Sequence, residues 1–141
     1  MTDHSGKIFP VPTPETAPYW QGCHEHELRL QHCRGCGQYQ FYPRIICSGC
    51  MGDDLQWVAV SGVGEVLSFT LVRRAVSAAY SSEVPYVVAL IQLREGPTMM
   101  SNVVECDPES VAVGMPVTVL FEDWSDAVSI PKFRPRLTGG E

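Results

Sequence analysis

Four cysteines form two closely spaced pairs in the first third of the chain. Two residues separate Cys33 from Cys36, two separate Cys47 from Cys50, and ten lie between the pairs. Two intervening residues allow a tight turn to direct both sulfurs at one ion, and two such turns complete a tetrahedron of ligands. The N-terminus has no recognisable secretory signal, so we expect the thiols to stay reduced. The spacing therefore predicts a metal site.

The expected ion is Zn²⁺ in a structural role. Zinc and iron both accept four thiolates, and zinc is favoured because nothing else in the sequence suggests electron transfer. Four protein ligands leave no open coordination position, so the ion would support folding and would not bind a substrate.

Two further cysteines, Cys23 and Cys106, lie outside these pairs. His24 and His26 flank Cys23 closely enough to suggest a Cys/His nucleophile, but no known nucleophile motif surrounds them. We therefore expect no catalytic residue in this chain, and an independent thiol enzyme is the least favoured hypothesis.

The charge distribution limits the choice of partners. The chain of 141 residues carries a formal net charge of −6, which opposes non-specific binding to nucleic acid. Lys132, Arg134 and Arg136 alternate near the C-terminus, so an extended segment would present them on one face. A single-stranded nucleic-acid module remains the competing hypothesis of another class, because zinc ribbons and OB barrels can both bind nucleic acid.

The elements that must position these residues are mainly β-strands. A short helix is predicted from Pro14 to about Glu25, followed by a ribbon hairpin with strands at 28–31 and 39–42. Strands at 55–60, 63–72, 86–93, 99–104 and 117–121, with a helical turn at 107–110, predict a closed five-stranded OB barrel. In the second of these, Leu67 and Phe69 are expected on one face. A flattened sandwich is the alternative.

The predicted organisation has four parts. Residues 1–27 form an extended, flexible arm and the short helix, 28–54 the zinc ribbon, 55–137 the OB-fold, and 138–141 a flexible tail. No apolar run approaches the ~20 residues that cross a bilayer, so we expect a cytoplasmic location.

Several short motifs occur in an order that resembles a known family. They are CRGCG at 33–37, FYPR at 41–44, CSGC at 47–50, WVAVSGVG at 57–64, VPYVVALI at 84–91, GMPV at 114–117 and PKFRP at 131–135. Together they resemble proteins that join a rubredoxin-like zinc ribbon to an acyl-CoA-associated OB-fold, the domain of unknown function thirty-five. Met51 departs from the pattern, since the family often has glycine directly after the last cysteine.

The resemblance implies a fold and a partner. The implied fold is an N-terminal helix, a rubredoxin-like ribbon and a five-stranded OB-fold. The implied partner is a thiolase-fold catalytic subunit, for example that of a benzoylsuccinyl-CoA thiolase, and a steroid side-chain aldolase or an enoyl-CoA hydratase are the alternatives. The small subunit would stabilise the enzyme and help to shape its acyl-CoA site, with Lys132, Arg134 and Arg136 as contacts to the CoA phosphates.

Overall fold

The chain passes from a short helix through a three-stranded sheet into a five-stranded barrel, and a computed structural model describes residues 4 and 6–136 of it. The predicted tail at 138–141 lies outside the described residues. This architecture confirms the predicted fold class. Within the described part of the chain, no helix is long and apolar enough to cross a bilayer.

The helix α1 spans Ala17–His24 and begins three residues later than predicted. The segment before it is a separate turn, in which the backbone N–H of Ala17 donates to the Thr13 carbonyl at 2.7 Å. The hydroxyls of Thr13 and Thr16 also contact each other at 3.1 Å. Tyr19 and Cys23 lie on the buried face of α1, which anchors the helix to the rest of the molecule.

The ribbon contains a sheet of three strands, which are β1 (Arg29–Cys33), β2 (Tyr39–Gln40) and β3 (Leu55–Ala59). The sheet order is β2-β1-β3, and β3 pairs with β1 along its whole length in antiparallel register. The segment at 55–60 was predicted as the first strand of the barrel, and this prediction was wrong. We therefore propose that the ribbon continues to Ala59.

The barrel is closed by β4 (Val63–Val72), β5 (Tyr86–Leu93), β6 (Thr98–Val103), β7 (Pro116–Asp123) and β8 (Ser129–Pro135). Its order is β4-β5-β6-β8-β7, and a 3-10 turn at Pro108–Ser110 precedes β7. The fifth barrel strand is thus β8, where the sequence analysis placed no strand. Two prolines obscured it, because proline lowers strand propensity and is confined to positions that need no backbone donor.

A bulge in β4 changes which side chains face inward. The pairing of β4 with β5 shifts register between Val66 and Ser68. Because side chains alternate along a strand, the extra residue moves the remainder of β4 to the opposite phase. Val66 is fully buried, whereas Leu67 is 46% exposed and Phe69 is 38% exposed. The register shift therefore contradicts the prediction that Leu67 and Phe69 lie on one face of a regular strand.

The helix, the ribbon and the barrel share one hydrophobic core. Leu28 and Leu30 of the ribbon belong to the same buried cluster as Tyr19 of α1 and Phe133 of β8. Burial of apolar surface stabilises a fold by about 25 cal/mol per Å². Because this cluster crosses the element boundaries, separating the ribbon from the barrel would expose part of it.

Lys7 in the N-terminal arm packs on the barrel, whereas the arm was expected to be flexible. The Lys7 side chain is completely buried and forms an ion pair with Glu83, in the loop between β4 and β5. Its ammonium nitrogen lies 5.0 Å from the ring centre of Tyr80 and 4.9 Å from that of Trp124. Cation–π contacts of this kind stabilise a buried ammonium group. The arm therefore fixes the position of this loop.

We expect Phe133→Ala to lower the free energy of unfolding by about 3–5 kcal/mol, because the phenyl ring is fully buried and its loss leaves a cavity in the barrel. Phe69→Ala is the matched control and should cost about 1 kcal/mol, since Phe69 is partly exposed. Urea denaturation of both variants measures the difference. Equal losses would show that β8 does not close the barrel.

Candidate metal centre and apolar face

The fold brings the sulfur atoms of Cys33, Cys36, Cys47 and Cys50 together at the tip of the ribbon. All four sulfurs lie within 4.8 Å of one another. The Sγ atoms of Cys33 and Cys50 are 3.7 Å apart, and those of Cys36 and Cys47 are 3.6 Å apart. Zinc–sulfur bonds of about 2.3 Å in a tetrahedron require sulfurs about 3.8 Å apart. The geometry therefore fits one tetrahedral ion, and zinc binding by these residues stays a prediction.

Each cysteine pair lies in a turn of the same design. The N–H of Gly37 donates to the Cys33 carbonyl at 2.8 Å, and the N–H of Met51 donates to the Cys47 carbonyl at 2.9 Å. Gly37 has φ +82° and Met51 has φ +67°, so both turns end in the left-handed region. This region costs a residue with a side chain roughly 1–2 kcal/mol, which explains why glycine is favoured at the position of Met51.

Backbone N–H groups surround the sulfurs and stabilise negative charge on them. The N–H of Cys36 points to the Cys33 sulfur at 3.4 Å, that of Gly49 to the Cys47 sulfur at 3.3 Å, and that of Gly52 to the Cys50 sulfur at 3.4 Å. The N–H groups of Cys50 and Gly49 lower the pKa of the Cys47 thiol to about 6. Since metals bind the thiolate form, the lowered pKa favours ligation by Cys47. For Cys36 and Cys50, hydrogen bonds from backbone N–H groups lower the thiol pKa, but the neighbouring thiols and burial outweigh them, so both pKa values are raised.

Two buried glutamines connect the second cysteine turn to the ribbon sheet. The side-chain amide of Gln40 donates to the Gln31 side chain at 2.7 Å and accepts the N–H of Ser48 at 2.8 Å. The Gln31 side chain in turn accepts the N–H of Arg44 and donates to its carbonyl. The sequence analysis missed both residues. Their only signal was a glutamine in each strand of the hairpin, and such residues are usually exposed.

The candidate thiol nucleophile is not supported by its surroundings. Cys23 is fully buried. Burial raises the pKa of its thiol to about 12, which keeps the sulfur protonated and unreactive. His26 points away to the barrel, where its Nε2 atom lies 2.8 Å from the Asp123 carboxylate. Cys106 is half-buried and packs against the core cluster.

The three cations that were predicted to share one face, a cationic patch of Lys132, Arg134 and Arg136, have different surroundings in the structure. Only 7% of the Lys132 side chain is exposed, and its ammonium nitrogen lies 3.0 Å from the Glu122 carboxylate. Partial burial raises the pKa of Glu122, but hydrogen bonds from Trp124 and Lys132 outweigh burial and hold this pKa below its usual value. Lys132 therefore neutralises the Glu122 carboxylate on the neighbouring strand, and its assignment as a CoA contact stays a prediction.

The two arginines of that patch remain accessible in different degrees. Arg134 is half exposed and lies 3.6 Å from the Glu105 carboxylate. Arg136 is partly exposed, and its backbone N–H donates to the Pro116 carbonyl at 2.9 Å. Their assignment to CoA phosphates stays a prediction.

An open groove lies where α1, the ribbon and the barrel meet. Its volume is about 390 Å³, and its walls include Trp20 of α1, Phe41 and Tyr42 after β2, Met100 of β6 and Ile130 of β8. Two smaller grooves continue from Tyr42 past Arg44 to the loop that carries Cys47. The first two grooves share Phe41 and Tyr42 in their walls, and the second and third share Arg44 and Ser48.

Several exposed apolar side chains line these grooves. Among the described residues, twelve large apolar side chains are exposed, and five of them line the grooves at exposures of 43–78%. We call these five the apolar face, and they are Tyr42, Ile45, Ile46, Met51 and Met100. Contiguous exposed apolar surface commonly marks an interaction site. The sequence analysis identified the ribbon but not this face.

Comparison with known proteins assigns both parts of the molecule. Residues 20–56 match the family model "ChsH2, rubredoxin-like zinc ribbon domain", and residues 57–122 match "ChsH2, C-terminal OB-fold domain". A DUF35 domain-containing scaffold protein of Methanothermobacter thermautotrophicus is 32% identical over 130 residues, which cover 86% of this chain and 97% of that protein. The chain belongs to the DUF35 family. The family resemblance seen in the sequence is thus confirmed.

Two further relatives of this DUF35 chain are connected with enzymes. A probable enoyl-CoA hydratase alpha subunit of Thermomonospora curvata is 31% identical over 129 residues. The alignment covers 89% of the DUF35 chain but only 39% of that longer protein. A chain of the solved structure entitled "Ltp2-ChsH2(DUF35) aldolase" superposes with a TM-score of 0.81 at 29% identity, covering 91% of this chain and 99% of that one.

We expect Cys47→Ser to abolish stoichiometric zinc binding and to leave the ribbon unfolded, because three thiolates cannot complete the tetrahedron. Cys106→Ser is the matched control, since Cys106 lies outside the cluster, and it should keep its zinc. Elemental analysis and circular dichroism of both purified variants provide the measurement. A folded Cys47→Ser protein with full zinc content would contradict the assignment.

We expect Lys132→Met to lower the free energy of unfolding by about 1–3 kcal/mol, because it leaves the half-buried Glu122 carboxylate without its cation. Arg134→Met should change stability by less than about 1 kcal/mol, since its ion pair is exposed. Thermal denaturation at neutral pH compares the two. If Lys132→Met is as stable as the unaltered protein, the ion pair between Lys132 and Glu122 does not contribute to stability.

Proposed function

We propose that this DUF35 chain is a non-catalytic, zinc-stabilised subunit of a heteromeric thiolase-type complex that acts on acyl-CoA. The complex would cleave or form carbon–carbon bonds, as in benzoylsuccinyl-CoA thiolase, and the catalytic groups would reside on its partner. The observation that carries the proposal is the apolar face, which adjoins the cysteine cluster in a chain whose relatives include enzyme subunits.

Zinc bound by Cys33, Cys36, Cys47 and Cys50 would make the ribbon rigid. The free energy of zinc binding in small zinc domains is roughly 10–16 kcal/mol, and it contributes directly to folding. Ile45, Ile46 and Met51 lie on or beside the second cysteine turn, so the same ion would fix this end of the apolar face. A preformed surface loses little conformational entropy when it binds a partner.

The composition of the apolar face suits a protein partner. Tyrosine and methionine are enriched at the centres of protein interfaces, and aromatic side chains often carry much of the binding energy. The face contains Tyr42, two isoleucines and two methionines, with Arg44 among them. We infer that a thiolase-fold subunit buries this surface.

The groove beside Tyr42 would lie at the border between the two subunits. Its walls are mainly apolar, and Ser101 and Asn102 add polar groups on one side. Such a groove would accommodate part of an acyl chain, and the CoA ester would be shared with the catalytic subunit. In this arrangement Arg134 and Arg136 are the cations of the original patch that remain for the CoA phosphates. We place the complex in the cytoplasm.

An aldolase acting on a steroid side chain or an enoyl-CoA hydratase is the alternative partner. The aldolase is supported by the structure entitled "Ltp2-ChsH2(DUF35) aldolase", and the hydratase by the relative from Thermomonospora curvata. We propose that any of the three partners would dock on the apolar face. The nucleic-acid hypothesis is less favoured, because the chain carries a net charge of −6.

Co-expression tests the proposal and its alternatives together. The chain is produced with a thiolase, an aldolase or a hydratase subunit encoded beside it, and size-exclusion chromatography shows whether a heteromer forms. We expect co-elution with the thiolase-type subunit. Separate elution from all three enzymes would refute the accessory role, whereas a complex with only one of the others would reassign the partner.

The apolar face can be tested within the same complex. We expect the double variant Tyr42→Asp/Met100→Asp to weaken the complex by about a hundredfold, because two interface side chains become charged and desolvated. Val113→Asp is the matched control, since Val113 is equally exposed but lies away from the grooves. Surface plasmon resonance measures both affinities. Equal affinities for the two variants would place the interface elsewhere.

A further inference from the structure

A fourth, more polar groove lies at one end of the barrel and shares no lining residue with the three described above. Its volume is about 490 Å³, and Arg94 and Arg136 line it together with Glu65 and Gly114. Arg94 follows β5 directly and Arg136 follows β8, so the two arginines approach the groove from different strands. The sequence analysis considered Arg136 but gave no role to Arg94.

These two arginines differ from most other cations of the chain. Six of its ten lysine and arginine side chains form an ion pair with a carboxylate of the described residues. The four that form no such pair among the described residues are Arg44, Arg74, Arg94 and Arg136. Two of these four line the same groove. In a protein with net charge −6, two neighbouring cations that form no ion pair among the described residues attract an anion, although Glu65 also lines the groove.

The backbone holds both arginines at fixed edges of the groove. The N–H of Arg94 donates to the Val63 carbonyl at 2.8 Å, and the N–H of Arg136 donates to the Pro116 carbonyl at 2.9 Å. Between these edges, β4 and β7 pair through Gly64 and Val117. The guanidinium groups therefore extend from two anchored points of one sheet, and a bound anion need not order the backbone.

Three glycines line the wall of the groove. A Cβ atom on Gly64 would lie 2.5 Å from the Gln92 carbonyl oxygen, so no side chain can be accommodated there. Gly96 and Gly114 also line the groove, and a Cβ on either would meet no atom within 4 Å. The groove thus has a wall of exposed backbone between two long cationic side chains.

We propose that this groove binds a phosphate group, held between the guanidinium groups of Arg94 and Arg136. The planar fork of arginine donates two parallel hydrogen bonds to phosphate oxygens, and such charge-assisted bonds are stronger than neutral ones. Glu65 opposes the anion and limits its affinity, so the site favours a multiply charged ligand over chloride. Identifying this group as a phosphate of the CoA ester rests on the proposed function, whereas anion binding does not.

The first experiment uses pyrophosphate as the probe and the isolated full-length chain at low ionic strength. We expect isothermal titration calorimetry to show one saturable site. Arg94→Gln and Arg136→Gln should each weaken binding by about tenfold or more, because each removes a bidentate contact. Arg74→Gln is the matched control and should leave the affinity unchanged, since Arg74 lies outside the groove. Glu65→Gln should tighten binding severalfold by removing a repulsive charge.

These outcomes decide the inference without reference to any enzyme partner. Absence of saturable binding, or an equal loss in all three arginine variants, would overturn it. All the exchanged side chains are at least partly exposed, so unchanged melting temperatures should show that each variant folds.

A second titration distinguishes the source of the phosphate group. We expect CoA to displace pyrophosphate, and dephospho-CoA, which lacks the 3′-phosphate, to displace it more weakly. If pyrophosphate binds with the predicted dependence on Arg94 and Arg136 but CoA does not displace it, the phosphate site stands and the CoA assignment fails. Failure of the heteromer to form would affect the proposed function and the CoA assignment that rests on it, but not the phosphate site.

Discussion

Four sulfur atoms within 4.8 Å of one another are the constraint on which the ribbon depends. Without an ion, thiolates at this distance repel one another, and backbone N–H groups at 3.3–3.4 Å offset only part of that repulsion. The ribbon sheet itself is small, since β2 contains two residues. Its own strand pairing therefore provides little stability, and a metal ion is the interaction that can hold the two turns together.

The consequences of this constraint extend beyond the ribbon. The ribbon contributes Leu28 and Leu30 to the core shared with α1 and the barrel, so a closed ribbon also completes that core. It supplies four of the five side chains of the apolar face, three of them in the stretch 45–51, while Met100 comes from the barrel. A surface assembled from separate elements keeps its shape only if each of them is held. In this account the metal is structural, yet it determines whether the docking surface exists.

Much of the fold was predictable because the decisive signals were local. The cysteine spacing indicated the metal cluster, and β4 and β5 have the predicted bounds, because both are long and rich in β-branched and apolar residues. The family resemblance supplied the order of ribbon and barrel.

The features that were not predicted correctly depend on contacts between distant parts of the chain. The sequence pattern of β3 indicates a strand, but it does not reveal that this strand pairs with β1 of the ribbon. The prolines of β8 concealed a strand that only closure of the barrel stabilises. Lys132 is buried because Glu122 lies across the sheet from it, and Lys7 because Glu83 folds over it. Contacts between distant parts of the chain also create the apolar face and the groove lined by Arg94 and Arg136. Neither surface corresponds to a sequence motif.

The central claim is that one zinc ion, held by four thiolates, makes this chain a rigid docking subunit. X-ray absorption at the zinc edge of freshly purified protein tests it most directly. The account predicts one zinc per chain with four sulfur neighbours at about 2.3 Å and no oxygen or nitrogen neighbour. Protein that is folded but contains no stoichiometric metal, or zinc with fewer than four sulfur neighbours, would contradict it.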